Sequence, residues 1–301
     1  AIAHDMHPNY LATRYALERA EREDLPTFSI QHHYAHVAAC MAEHGLTETV
    51  IGVSFDGTGY GDDGAIWGGE FLVADYKSYQ RAAHLEYFPL PGGDAAIKKP
   101  ARTALALLWS LGMDWDGALE SVEEFCSEDQ VTLRVQLEKK INTPMTSSMG
   151  RLFDAVSALA GVRQKVNYEG QAAIEFEAMA DSAEAGHYAF GVESGQVRVR
   201  RVVETLVKDV MAGVSIPKIS ARFHNGLAEA VREAVQRISG ETSIRSVVLS
   251  GGVWQNLTLL RRTLSLLRES GFEVYIHREV PTNDGGLSLG QAAIAATRLR
   301  G

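Results

Sequence analysis

Ser246-Val247-Val248-Leu249-Ser250-Gly251-Gly252-Val253-Trp254-Gln255-Asn256 is the stretch that decides how this chain folds. The apolar run at 246–249 reads as a buried strand. A Gly-Gly turn follows, then helical patterning to about residue 270 and a second strand over 272–277. Asn283-Asp284-Gly285-Gly286 then opens a final helix. Strand, turn, helix and strand in that order form a βαβ-type unit, the element from which parallel sheets are built. A glycine turn at a helix N-terminus is also an anion site, because orphan N–H groups and the helix dipole face the ligand. The turn is neither a Walker A loop nor a GxGxxG fingerprint, and a plain tight turn competes with phosphate contact.

Upstream, Val50-Ile51-Gly52-Val53-Ser54-Phe55 is rich in β-branched residues and reads as a second buried strand. It predicts a Gly/Asp-rich loop over 56–64 and a returning strand over 65–76, a hairpin. Glycines at 57 and 59 let backbone N–H groups approach an anion, while the Asp56 carboxylate at the same turn suits a metal. On spacing alone a tight hairpin accounts for the segment equally well. Before this lie a turn-rich opening at 5–10, a helix to about 22, a strand at 26–30 and a helix over 34–44. After it the patterning predicts helices over 100–112, 150–161, 171–185 and 220–239, short helices within 113–145, and a hairpin of 187–192 with 196–202.

Gln31-His32-His33-Tyr34-Ala35-His36 sets His32 and His36 four residues apart. On a helix that places both imidazoles on one face, close enough to bind one metal. No HExxH glutamate is present, and three ordinary histidines at a helix start are the competing reading. His33 points off that face and could bond neighbouring backbone or a substrate. Asp284 read alone is a helix cap. Read with His32, His36 and Asp56, it completes a set of two histidines and two carboxylates, a mixture that suits iron or zinc better than magnesium. Asp154, in Ser147-Ser148-Met149-Gly150-Arg151-Leu152-Phe153-Asp154, and Glu169, in Tyr168-Glu169-Gly170-Gln171, could accept bonds from ribose hydroxyls. Capping and surface solvation compete, more strongly for Glu169. No Ser/His/Asp triad or activated cysteine is apparent.

The 301 residues suffice for two lobes with substantial cores. Net charge is −9, from 29 basic and 38 acidic residues, which argues against a general nucleic-acid binder without excluding a local pocket for one nucleotide. Cys40 and Cys126 form no CxxC pair, which fits a reducing cytosol and offers no structural zinc site. No apolar run approaches the roughly 18–20 residues of a membrane span, and no signal peptide is visible, so a cytoplasmic location without membrane attachment is expected. The first residue is Ala1, so a processed chain or a piece of a longer one is expected.

His4-Asp5-Met6-His7-Pro8-Asn9-Tyr10-Leu11-Ala12-Thr13-Arg14, the 31–36 segment, Phe55-Asp56-Gly57-Thr58-Gly59-Tyr60-Gly61, Trp67-Gly68-Gly69-Glu70-Phe71, the 148–154 and 168–171 segments, the 250–256 turn, and Val280-Pro281-Thr282-Asn283-Asp284-Gly285-Gly286-Leu287-Ser288-Leu289-Gly290-Gln291 follow one another in an order that resembles the HypF family of hydrogenase-maturation carbamoyltransferases. The resemblance covers essentially the whole chain and falls in that family's C-terminal transferase module. A related module occurs in O-carbamoyltransferases and in tRNA threonylcarbamoyl-adenosine enzymes.

The resemblance implies an α/β, two-lobed actin/Hsp70/sugar-kinase-like (ASKHA) fold around a nucleotide cleft, without the N-terminal hairpin of the family. It implies a partial first lobe over 1–100 and a second over 101–301, with a helical insertion and a closing helix that returns to the cleft. It matches His32, His36, Asp56 and Asp284 to metal ligands for one divalent iron or zinc, with magnesium accompanying the nucleotide an option. It matches Gly57, Thr58, Gly59, Gly150, Gly170, Gly251, Gly252 and Asn256 to nucleotide-facing loops, Asp154 and Glu169 to positions near the ribose, and His33 to a catalytic place. The ligand implied is ATP or carbamoyl-adenylate. The partners implied are HypE, whose C-terminal cysteine thiol accepts the carbamoyl group, and the other HypF domains. An O-carbamoyltransferase acting on a small-molecule hydroxyl and a non-catalytic nucleotide-binding scaffold are the alternatives, and a tRNA-modifying role is disfavoured by the acidic charge.

Overall fold

The structure, a computed structural model, describes residues 1–300. The chain opens with strand β1 (Ile2–Asp5), ahead of the turn-rich opening expected over 5–10 and with no counterpart in the sequence reading. Four residues, two apolar followed by two polar, carry no alternation that would reveal a strand. β1 is visible only through its parallel partner β2 (Thr27–Ile30), which sets Ile2 opposite Thr27 and Asp5 opposite Ile30, with helix α1 (Leu11–Glu23) between them.

Helix α2 (His32–Glu43) follows at once. The Gln31 side chain caps it, accepting the Tyr34 N–H at 2.8 Å. Every residue from 32 to 41 is buried, so α2 is a core helix rather than an amphipathic surface one. β3 (Val50–Tyr60) and β4 (Ile66–Ala74) form the expected hairpin, and β5 (Tyr79–Leu85) extends it antiparallel. β3 does not end at residue 55. It runs on to Tyr60 through a bulge, so that 56–58 fall between the pairs Phe55↔Gly69 and Gly59↔Trp67. The first part of the Gly/Asp-rich stretch, 56–60, is therefore bulged strand, the expected loop is confined to 61–65, and a bulge re-aims the side chains it carries.

A second set of elements follows: β6 (Phe88–Pro89), α3 (Asp94–Lys98), α4 (Pro100–Ser110), α5 (Glu120–Glu123), α6 (Ser127–Glu138), β7 (Met145–Thr146), α7 (Met149–Leu159), α8 (Gln171–Ala178), β8 (Gly191–Glu193), β9 (Gln196–Arg198), α9 (Arg200–Met211) and α10 (Ile216–Thr242). α7 is buried along its whole length and packs on α4 and α8. α8 stops short of the expected 185. The strand expected to reach 202 gives way at 200 to α9, because Val202, Val203 and Leu206 repeat at helical spacing and are the residues this helix buries.

The last part matches the reading of its decisive stretch. β10 (Ser246–Ser250) leads through a short 3₁₀ turn to α11 (Leu257–Glu269), then to β11 (Glu273–Ile276) and α12 (Leu287–Arg300). β10 lies parallel to both β3 and β11, giving the order β11-β10-β3-β4-β5. α2, β3, β4, β10 and α12 share one core built on Tyr34, Val37, Met41, Val50, Leu72, Val248 and Ile294. α12 approaches α2 so closely that a Cβ at Gly290 would lie 1.9 Å from the Ala35 carbonyl oxygen.

The chain divides into two compact units: 1–84 with 232–255 and 264–301, and 85–231 with 256–263. The division expected near residue 100 sits differently. The break falls after residue 84, and most of the chain beyond 231 belongs with the opening residues, because β10 and β11 complete the β3 sheet. No helix among the described residues is long and apolar enough to cross a membrane.

Candidate metal centre

His32 and His36 lie on successive turns of α2, Asp56 on the bulged part of β3, and Asp284 on the 3₁₀ turn Asp284–Gly286 that opens α12. One donor atom from each lies within 4.8 Å of all the others. His32 Nε2 stands 3.3 Å from Asp56 Oδ2 and 3.5 Å from Asp284 Oδ1. His36 Nε2 stands 3.4 and 3.5 Å from the same two atoms. Metal–ligand bonds of about 2.0–2.1 Å give a tetrahedron with edges of about 3.3–3.4 Å, so the four histidine–aspartate spacings match four of the six edges of such a site. His36 Nε2 is buried and makes no hydrogen bond, an orphaned lone pair or N–H that an ion would satisfy. The four residues fit a borderline divalent cation such as zinc or iron.

Second contacts orient the donors. The His32 Nδ1–H donates to Asp5 Oδ2 at 2.7 Å, which turns Nε2 toward the cluster. Asp5 is itself buried, and its other oxygen accepts the His7 N–H at 2.7 Å. Sequence reasoning missed this residue. Nothing in the spacing ties position 5 to position 32, and only the β1–β2 pairing, with Asp5 opposite Ile30, brings them together.

Capping at the fourth donor falls to Asn283, whose side chain accepts the Gly285 N–H at 3.1 Å, and this leaves the Asp284 carboxylate directed at the histidines. Asp56 Oδ1 accepts the Gly252 N–H at 3.0 Å, tying the glycine turn after β10 to the same carboxylate. Gly251 holds φ at +106°, and a Cβ there would sit 2.3 Å from the Phe55 carbonyl oxygen, so only glycine fits.

The charges compensate within the cluster. Burial pushes the Asp56 carboxyl up, but the His32 and His36 contacts outweigh it and hold Asp56 well below the usual carboxylate range. Burial likewise pushes both imidazoles down, and contacts with Asp284 and Asp56, plus Asp5 for His32, raise them above the ordinary histidine value. The carboxylates thus offset the cost of burying the rings, and a cation bound there would take over that role, displacing any proton the rings carry.

His33 is fully buried and held well below the ordinary value by burial and by its His32 neighbour. The Gln31 amide donates to Tyr60 O at 3.1 Å and reaches His33 Nδ1 at 3.2 Å, and His33 Nε2 has no hydrogen-bond partner. A Cβ at Gly59 would lie 2.4 Å from His33 Cε1, so Gly59 makes room for this ring. Gly57 and Thr58 are half-buried next to Asp56 on the bulge.

The second unit holds Gly150, Asp154, Glu169, Gly170 and Asn256. Asp154 is buried beside Arg151, with Nη1 at 3.2 Å, yet burial pushes its carboxyl up to about 6, with Glu169 adding to the rise. Gly150 is buried in the first turn of α7. Glu169 is exposed, and Gly170 adopts φ +81° at the start of α8. Asn256 caps α11: its oxygen accepts the Leu259 N–H at 2.9 Å, and its amide donates to His224 Nε2 at 2.8 Å. His224 Nδ1–H in turn donates to Ser220 O, and burial lowers that ring to about 4.

Residues 52–291 match the family described as carbamoyltransferase, Kae1-like domain, second subdomain, and residues 1–43 match the HypF Kae1-like domain. Carbamoyltransferase HypF of Synechocystis is 38% identical over 96% of this chain and 39% of its own length. A HypF homolog of Cupriavidus necator is 36% identical over 98% of this chain and 77% of its own length. A crystal structure of full-length HypF in its phosphate- and nucleotide-bound form is 46% identical, with a TM-score of 0.91 over 99% of this chain and 47% of that one. The two-lobed ASKHA fold expected from the sequence agrees with this likeness. The chain spans about two-fifths of the length of most of the curated HypF relatives it matches, 39% of the Synechocystis protein and 40% of Cupriavidus necator HypF2. The matched segments contain all four clustered donors and the glycine turn against Asp56, and this chain belongs to the HypF carbamoyltransferase family, in its Kae1-like region.

Proposed function

We propose that this chain is the carbamoyl-transferring part of a hydrogenase-maturation enzyme, working in the cytosol, and that it passes a carbamoyl group from carbamoyl-adenylate to the C-terminal cysteine thiol of HypE. The observation that carries this reading is the four-donor cluster at His32, His36, Asp56 and Asp284 in a chain of the HypF family. A divalent iron or zinc bound there supplies Lewis-acid polarisation and stabilises developing negative charge. Asp5 holds the His32 ring in the orientation that presents Nε2. Gly57, Thr58, Gly59 and the Gly251-Gly252 turn serve the phosphate part on the strength of the family resemblance, the turn being held against the cluster by the Gly252 N–H bond to Asp56. Gly150, Asp154, Glu169, Gly170 and Asn256 serve the nucleoside part on the strength of the family resemblance, which also gives His33 its catalytic place although its ring is fully buried.

In the transfer the acceptor thiolate attacks the carbamoyl carbon, the carbon–oxygen bond to the adenylate phosphate breaks, and AMP leaves. The nucleophile belongs to the acceptor, so this chain has to bind, orient and exclude water rather than attack. Elemental mass spectrometry on the purified chain, beside His36→Ala and Asp284→Ala, tests the site. Near one iron or zinc per chain, lost in both variants, is the expected result. A well-folded wild type that takes up neither metal sinks the reading. Transfer of labelled carbamoyl to a HypE thiol, compared with a sugar hydroxyl, tests the acceptor.

A further inference from the structure

Three side chains outside the donor set form a chain of their own. Ser250 Oγ lies 2.8 Å from His277 Nε2, and the His277 Nδ1–H donates to Glu43 Oε2 at 2.9 Å. The order serine, histidine, carboxylate has the look of a hydrolytic triad. Ser250 is fully buried, however, so no substrate reaches its hydroxyl. The arrangement has to be explained by what it holds in place.

Glu43 is the last residue of α2, the helix that carries His32 and His36. Its Oε1 accepts the backbone N–H groups of Arg278 at 2.8 Å and Glu279 at 2.6 Å. The next residue, His44, donates from Nε2 to the Ile276 carbonyl at 2.8 Å. The end of α2 therefore grips four consecutive residues, 276–279, at the root of the loop that leads to Asp284. Three residues on, the loop is gripped again: Gly251 N–H donates to Thr282 O at 2.9 Å, and Thr282 Oγ1 donates to Gly251 O at 3.2 Å.

The four donors need such help unequally. The side chains of His32, His36 and Asp56 are 1%, 1% and 10% exposed, so packing holds them. The Asp284 side chain is 67% exposed. An exposed carboxylate keeps a fixed direction only if its backbone is fixed.

We propose that Glu43 is a positioning residue for the fourth donor: from the helix that bears the two histidines it anchors the 276–279 segment, so that Asp284 is presented at ligating distance before a cation arrives. This rests on the four-donor reading above. Pre-organisation of this kind acts by lowering the cost of ordering the loop on binding. Glu43 also sits below the usual carboxylate range, since its bonds to Glu279, Arg278 and His277 outweigh the effect of burial, so it is charged while it holds the loop.

The test is a double-mutant cycle on the whole chain, with zinc affinity read by competition against a chromophoric chelator. Glu43→Ala is expected to weaken zinc about tenfold or more, within the range of outer-shell partners. In an Asp284→Ala background the same change should shift affinity less than about twofold, because the group it positions is gone. Glu43→Gln should recover most of the affinity, to within about threefold: its amide oxygen still accepts from the backbone, and its NH₂ can donate to the other tautomer of His277. An equal loss in both backgrounds overturns the proposal and makes Glu43 a general prop of α2. A loss undiminished in Glu43→Gln overturns it too, since charge rather than tethering would then matter. If Asp284→Ala alone binds zinc like the wild type, the four-donor reading fails and takes the proposal with it, a result distinct from the other two. Should Glu43→Ala not fold, Glu43→Ser, which is too short to reach the loop, takes its place in the cycle.

Discussion

Asp56 and Asp154 are both buried carboxylates with basic neighbours, one in each compact unit, and they respond in opposite ways. Asp56 touches two imidazoles through one oxygen and a backbone N–H through the other, and it stays charged. Asp154 has Arg151 at 3.2 Å, with Glu169 opposing, and burial takes its carboxyl up to about 6. Burial costs both carboxylates the same kind of desolvation; what differs is how many partners repay the charged form and whether a like charge stands near. A carboxylate kept charged in a shell of neutralisable rings suits a cation. One poised near neutrality suits donating or accepting a hydrogen bond to an uncharged hydroxyl.

The largest effect expected from breaking this contrast is at Asp56. Asp56→Asn keeps the shape but removes the charge and one good donor, and zinc affinity should fall by more than about 100-fold, beyond the 10–100-fold typical of outer-shell partners. Isothermal titration with zinc reads this directly, and an affinity within about tenfold of wild type would remove Asp56 from the donor set.

At Asp154 the expected effect lies in the pH dependence of stability. A carboxyl raised to about 6 in the folded chain, against about 3.9 unfolded, contributes stability that is fully present below pH 4 and lost as pH rises through 6. Asp154→Asn does not titrate. The stability difference between variant and wild type should therefore move in the variant's favour by on the order of 2–3 kcal/mol between pH 4 and pH 7.5, whatever its absolute value with Arg151 losing its partner. Parallel urea-melt curves at the two pH values would show that Asp154 is not raised.

A smaller effect is expected at Asp5, which touches no metal. Asp5→Asn leaves an oxygen to accept the His32 Nδ1–H but removes the charge, and zinc affinity should fall about tenfold with little change in the metal-free melting temperature. A loss of melting temperature with unchanged affinity would make Asp5 a fold residue only.

The decisive stretch at 246–256 was legible because a βαβ unit writes itself in consecutive residues. His32 and His36 were legible as a pair because one helix spaces them. Asp56 and Asp284 acquired a joint meaning only beside that pair and through the family likeness, since residues brought together by β3 and by the turn before α12 share no local period. Asp5 and Glu43 stayed hidden for the same reason: each acts through a partner 27 or more positions away. The bulge at 56–58 was hidden as well, because glycine and aspartate write loop and bulge alike.

Asn283 and Asp284 sharpen the contrast to a single step of the chain. Sequence alone favours Asp284 as the cap, and the structure gives that task to Asn283. Asn283→Ala should lower thermal stability by about 1 kcal/mol, the usual worth of a cap, and change zinc affinity only a few-fold through the looser turn. Asp284→Ala should do the reverse, with zinc weakened strongly and the metal-free chain losing less than it does at Asn283, since the side chain is mostly exposed and meets the fold only through its contacts with His32 and His36. Melting curves and zinc titrations on the two variants, read together, separate the roles. If both variants lost stability and neither lost zinc, the 283–286 turn would be a helix start and nothing more, and the cluster would be left with three donors.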